Sequence, residues 1–193
     1  MNKKITGYIA IAVVLLLTGW FVVTYNVLVQ KDEKVKLQWN EVQNAYQRRI
    51  DLVPNLVNVV KGLTNFEQTT LVKVTEARSK ATSVNVSNIS ADAYNQQAVA
   101  QDELAGAANR LLVSVEKYPE LKGTDAFVGL QTQLEGTERR IKFARKDFNT
   151  AIADYTSTVR SFPSSIAAKV MGFQPKEGFQ SDAGTDKSVE IKF

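Results

Sequence analysis

Cysteine and histidine are both absent from the 193-residue chain. That double absence excludes disulfides, thiolate nucleophiles, Cys- or His-ligated metal sites and the usual neutral-pH general base. It leaves compartment open, because a cysteine-free chain suits either side of a membrane. A surplus of one charge sign is also missing beyond the first few residues. Lys3 and Lys4 take two of the 24 basic residues, and the remaining 22 face 20 acidic ones, a net charge of +2. Nucleic-acid binding needs basic residues clustered to neutralise phosphates, so none is expected. No phosphate-binding glycine loop, nucleophile elbow or Ser-x-x-Lys constellation with its companion motifs occurs. Glu135 and Glu138 lie three apart on a helical face, but di-iron bundles pair such carboxylates with Glu-x-x-His, and no histidine exists. Neither cofactor nor metal is expected, and the chain reads as a non-enzyme.

What the chain has is a long apolar run. Ile5 to Gln30 carries no charge and is flanked by Lys3 and Lys4 before it and by Lys31, Lys34 and Lys36 after it. A helix needs only about 20 such residues to cross the hydrocarbon core. Ile5, Ile9, Val13, Leu16, Trp20 and Val23 mark the expected membrane anchor. A cleaved signal peptide is the rival, but its apolar part is shorter and ends in small residues, whereas Trp20, Phe21 and Tyr25 stand at this exit. Large aromatics suit an interface belt. The basic residues on the two sides are nearly balanced, and the favoured orientation has a cytoplasmic N-terminus and an exported bundle.

Beyond the anchor, helical periodicity dominates. Val35, Trp39, Val42 and Tyr46 mark one helix face, so the anchor helix is free to continue outward. Pro54 predicts a kink or restart between Asp51 and Asn55. The stripe then resumes at Leu56, Val59, Leu63 and Phe66 and runs on to Ala77, followed by a polar connection over Thr82 to Ser90. Ser90 or Asp92 caps the next helix, with Tyr94, Gln101, Leu104, Ala108, Leu111 and Val115 on one face until Pro119. Thr124 or Asp125 begins the last long helix, whose positions Phe127, Leu130, Leu134, Thr137, Ile141, Ala144, Phe148, Ala151 and Tyr155 alternate by three and four, a coiled-coil-like seam. Val159 and Phe162 extend this stripe to Pro163. Ser164 to Met171 has the pattern of a short amphipathic helix that needs something to pack on. Gln180 to Lys187 is polar and expected to be mobile, and Val189 to Phe193 alternates too briefly to assign.

The expected fold is therefore all-α: an N-terminal transmembrane helix, residues 1–30, and an elongated antiparallel helical bundle, residues 31–173, with a partly mobile tail over 174–193. The three predicted long helices are about 28, 28 and 38 residues, or about 42, 42 and 57 Å. Glycines at 62, 106, 129 and 136 fall inside helical patterns, where close helix packing is the expected reason for them. Arg48, Arg49, Asp51 and Asn55 sit beside the proline, and with Glu138 and Arg145 they form a candidate interhelical polar cluster. An anion or lipid-headgroup site is the alternative use of the two guanidinium groups; ion pairing across helices is favoured, with Glu138 as a partner for Arg48.

These segments resemble the LemA family of bacterial membrane-anchored helical proteins. The resemblance rests on the Arg-Arg-x-Asp-Leu-x-Pro-Asn-Leu block from Arg48 to Leu56 and the Tyr-Pro-x-Leu-Lys block from Tyr118 to Lys122. Ala77 and Arg78, Thr137 and Glu138, Ala144 and Arg145, and Phe148 and Asn149 add to it, within residues 20 to 173. Family members commonly carry tyrosine where this chain has Phe148. The resemblance implies the same anchor and bundle but no reaction, and a relative's part in building magnetosome membranes implies a membrane-organising role. The expected function is a membrane-anchored scaffold or adaptor of the bacterial inner membrane, homo-oligomeric or holding envelope proteins beside the lipid. The alternative is a module coupling envelope stress to a membrane protease, kinase or transporter.

Overall fold

The apolar run and the first helix of the bundle are one helix. A computed structural model describes residues 3–62, 66–84 and 90–179, without the side chains of Lys3, Lys4 and Thr6. In it α1 (Lys3–Lys61) runs unbroken for 59 residues, about 88 Å at 1.5 Å per residue. Its most apolar stretch has a mean hydropathy of 2.2 and is only 6% buried, unlike the core helix of a water-soluble domain. Ile5, Ile9, Val13, Leu16 and Val23 are exposed along it, and Trp20 is half-buried.

Of the kink or restart expected at Pro54, the restart does not occur; α1 continues through it and ends after a further two turns. The reason lies in another element. Proline has no N–H to give to the carbonyl four residues back, which is that of Ile50. Arg78, on α2 (Gln68–Ser83), donates its Nε–H to this carbonyl at 3.2 Å. The break comes at Gly62 instead, so the second helix has 16 residues where about 28 are predicted. Leu63, one of the stripe residues, lies outside the described residues. Arg78→Met leaves the half-buried Ile50 carbonyl without its donor and should cost about 1–3 kcal/mol in urea denaturation. Unchanged stability would mean that water serves the carbonyl equally well.

The other boundaries follow local chemistry. Ser90 caps α3 (Ala91–Val115) by accepting the Ala93 N–H at 3.3 Å. Thr124 caps α5 (Asp125–Arg160) by accepting the Phe127 N–H at 3.3 Å. Between them Pro119 opens the single turn α4 (Pro119–Lys122), which buries Leu121. A cis Phe162–Pro163 peptide leads into α6 (Ser164–Met171), which Gly172 ends with φ of 79°, where a side chain would be strained. Every regular element among the described residues is helical.

Side-chain pairs give the directions. Lys31 meets Asp154 and Arg49 meets Glu138, so α1 and α5 are antiparallel. Trp39 meets Tyr94 and Arg49 meets Gln101, so α3 runs parallel to α1; Lys80 meets Glu103 while Lys73 and Arg110 share a groove, so α2 is antiparallel to α3. The result is an up-down-up-down bundle.

Its α1 seam passes through Leu28, Val35, Trp39, Val42, Tyr46, Arg49, Val53, Leu56 and Val60, all buried. The apolar members fall into two cores. A membrane-distal core combines Val53, Leu56 and Val60 with Val74, Leu104, Leu111, Phe127 and Leu134. A membrane-proximal core combines Leu28, Val35, Trp39 and Val42 with Tyr94, Phe148, Tyr155 and Ala168. Two expectations fail here. Phe162 is 83% exposed, because α5 stops at Arg160 and an extended Ser161 turns the chain before the stripe can continue. A Cβ at Gly129 or Gly136 would meet nothing within 4 Å, so close packing does not account for those glycines.

Candidate functional site

Between the two cores the seams turn polar at one level. Arg49 takes a seam place in α1, three residues after Tyr46 and four before Val53; Gln97 and Gln101 do so in α3, and Thr137 in α5, all four buried. Arg49 is 1% exposed yet donates to the Gln101 backbone carbonyl at 2.8 Å and to Glu138 Oε2 at 2.5 Å. Burial pulls the Arg49 guanidinium below its ordinary pKa, against the opposing pull of Glu138 and Asp102. Arg145 donates Nε–H to the Tyr46 hydroxyl at 2.8 Å and pairs with Asp102 at 2.8 Å. Burial lowers its pKa as well, but the hydrogen bond to Asp102 and the field of Tyr46 outweigh it and leave the value raised. Burial pushes the Tyr46 phenol up. Gln43 and Gln97 exchange both amide hydrogen bonds, at 2.7 and 2.9 Å. Two buried donors, Arg49 Nε and Gln101 Nε2, have no partner among the described residues.

The predicted cluster thus divides. Arg49, Glu138 and Arg145 come together in this layer. Arg48, Asp51 and Asn55 are exposed on the other side of α1; Asp51 accepts from Gln47, and Arg48 lines a surface groove of about 440 Å³ with Arg140 and Asp147. Glu138 pairs with Arg49, not Arg48. Asp102, Gln43 and Gln97 are unforeseen members; only Gln97 carries a signal, as a buried polar residue interrupting a seam, while Gln43 and the exposed Asp102 lie beside the seams. Glu135 accepts from Gln131 at 3.1 Å.

Below this layer an extended segment, residues 173–179, lies over the proximal core. Asn149 holds it as a second backbone would: its Oδ1 accepts the Phe179 N–H at 2.8 Å and its Nδ2 donates to the Phe179 carbonyl at 3.2 Å. A Cβ at Gly178 would fall 2.5 Å from that Oδ1, so a side chain there breaks the clamp. Thr156 holds the backbone of Lys176 in both directions, at 2.9 and 3.1 Å. The Tyr94 hydroxyl donates to the Glu177 carbonyl, and burial, reinforced by Glu177 and Asp92, raises its pKa to about 12. Phe179 closes a box of rings with Trp39, Tyr94 and Phe148 at centroid distances of 6.1, 5.1 and 5.4 Å. Gln180 and everything after it, including the polar stretch and the alternating end, lie outside the described residues.

Lys176 ties the segment to Asp32. Burial pushes the Asp32 carboxyl up, but hydrogen bonds from Lys176 and Lys36 outweigh this and hold it below the ordinary range. A carboxyl lowered on folding adds stability that is fully present above its unfolded-state pKa and lost as pH falls through the folded one. Acidification below about pH 4 should therefore loosen the segment. Trp39 emission, read in a Trp20→Phe background, should change in that window and lose this pH dependence in Asp32→Asn; an unmoved transition would clear Asp32 of the effect.

The family model described as the LemA family matches residues 38–193, more than half of the chain. The chain belongs to the LemA family. The match begins within α1 just before Trp39, so it covers the distal core, the polar layer, the extended segment and the proximal core apart from Leu28 and Val35, and leaves out the apolar run. Protein LemA of Metamycoplasma hominis is 26% identical over 164 residues, covering 81% of this chain and 72% of the relative. Magnetosome proteins MamQ 1 and MamQ 2 of Paramagnetospirillum magneticum are each 23% identical over 184 residues, covering 86% of this chain and 68% of theirs. The molecule is a membrane-associated helical protein of this family.

Proposed function

We propose that this LemA family protein is a non-enzymatic scaffold or adaptor of the bacterial inner membrane, which self-associates or holds other envelope proteins at a fixed height above the lipid. The observation that carries the reading is the unbroken α1. The apolar run and the seam residues Trp39, Tyr46 and Arg49 are turns of the same helix, so a tilt or rotation of the span reaches the bundle without a hinge. The charged members of the layer are paired with one another rather than poised around an open site. Relatives named as magnetosome proteins fit a role in organising a membrane. The N-terminus is placed in the cytoplasm and the bundle outside it, and protease digestion of intact spheroplasts checks that orientation.

Extraction in mild detergent, followed by mass measurement of the intact complex, tests the proposal. A homo-oligomer or a complex with envelope proteins supports it. Stoichiometric capture of a membrane protease, kinase or transporter moves the assignment to the regulatory alternative. A flexible insert between Gln30 and Lys31 should impair function while both parts stay in the membrane; normal function would reduce α1 to a tether.

A further inference from the structure

Outside the apolar run, exposed large apolar residues are mostly scattered singly, as at Leu37, Val72, Val99 and Val113, which is ordinary for a folded surface. One group is not scattered. Phe162, Ile166 and Val170 follow one another at four-residue steps and are 83%, 52% and 74% exposed, while Ala167 and Ala168 on the other side of α6 are buried. The position of this stripe is informative. Phe173, just after α6, meets the Tyr25 ring edge-on at 6.0 Å, and Ala168 shares its core with Leu28. Tyr25 and Leu28 belong to the apolar run itself, near the end where a core of about 30 Å is left behind. Around Tyr25 the run exposes Val22, Val23 and Val27, so both exposed apolar surfaces stand at the same end of the bundle. Arg160 and Lys169, both exposed, flank the stripe with the charge that suits anionic headgroups.

We propose that α6 lies in the headgroup–acyl boundary of the same bilayer, with Phe162, Ile166 and Val170 in lipid, as a second membrane contact that sets the bundle's tilt. The proposal rests on reading α1 as a membrane span. With two contacts, one crossing and one lying flat, the bundle cannot swivel freely about α1.

The absence of cysteine makes the test direct, because each introduced cysteine is unique. Full-length Ile166→Cys, Val170→Cys, Leu17→Cys and Val113→Cys, each carrying an environment-sensitive fluorophore, are reconstituted in vesicles of phosphatidylethanolamine and phosphatidylglycerol. Quenching by bromine on the lipid chains is compared with quenching by aqueous iodide. The expected result is lipid quenching at 166 and 170, at a depth of about 5–10 Å, deeper lipid quenching at 17, and iodide quenching alone at 113. Iodide quenching at 166 and 170 with lipid quenching at 17 overturns the proposal and leaves the span intact. Loss of lipid quenching at 17 overturns both. Shielding of 166 and 170 from both quenchers means that protein covers the stripe, and it also overturns the proposal.

Discussion

Phe148→Ala should destabilise the membrane-proximal half by about 3–5 kcal/mol, the range for removing a fully buried aromatic ring. Phe148 is 0% exposed and its ring lies 5.3 Å from Trp39, 5.5 Å from Tyr94 and 5.4 Å from Phe179. It is α5's contribution to a box in which Trp39 of α1, Tyr94 of α3, Phe148 and Phe179 of the extended segment each meet the other three. Phe148→Leu keeps most of the apolar volume and should lose less, with about 0.5–1.5 kcal/mol assigned to the lost ring contacts. The damage should also be local: hydrogen exchange of 173–179 and of the start of α3 should rise well before that of Leu104 and Leu111 in the distal core. A loss below about 1 kcal/mol for the alanine variant would mean that Phe179 sinks into the vacated space, which depends on how far a site can collapse.

The apolar seams were legible because each is a matter of spacing within one helix. Val35, Trp39, Val42 and Tyr46, or Leu134, Ile141, Phe148 and Tyr155, turn inward as periodicity demands. The cap at Thr124 was readable for the same reason, being an interaction over three residues. At Pro54 the choice between a kink and a restart was not readable. Whether it breaks α1 depends on Arg78, which arrives from another helix to take the stranded carbonyl. The extended segment is hidden for a related reason. It has no period, and its order comes from side chains of Tyr94, Asn149 and Thr156 that reach its backbone from far along the chain. The polar layer stands between these cases. Arg49 keeps the three-four spacing of the α1 seam, and Gln101 and Thr137 keep theirs, so each interruption is visible alone. That they share a height becomes apparent only once α1, α3 and α5 are set side by side.

Arg49 is where the second large effect falls. Arg49→Ala should cost about 3–5 kcal/mol, because it opens a cavity, removes the second donor to the Gln101 carbonyl and leaves Glu138 without its cation. Glu138→Lys should cost a similar amount by setting a second cation against a guanidinium that is 1% exposed. Glu138→Ala should cost less, about 1–3 kcal/mol, since the Glu138 side chain is 43% exposed and water takes up part of its role. Exchanging the pair, Arg49→Glu with Glu138→Arg, should rescue only partly. Glutamate at 49 has no donor for the Gln101 carbonyl, which now accepts at 2.8 Å, and two acceptors would face each other. Full rescue would show that net charge alone matters. The double variant Arg49→Met with Glu138→Leu is the one that separates stability from specification: replacing both partners of a buried ion pair by apolar side chains of similar volume often matches or exceeds it in stability. Heptad seams above and below the layer would accept a shifted pairing, and a polar residue at a seam position is a known means of forbidding one. This double variant should therefore keep its urea midpoint yet spread its register. A cysteine pair at Lys31 and Asp154, which now touch at 2.6 Å, should cross-link less completely in that background than in the parent. Equal cross-linking would leave the layer with a purely energetic role.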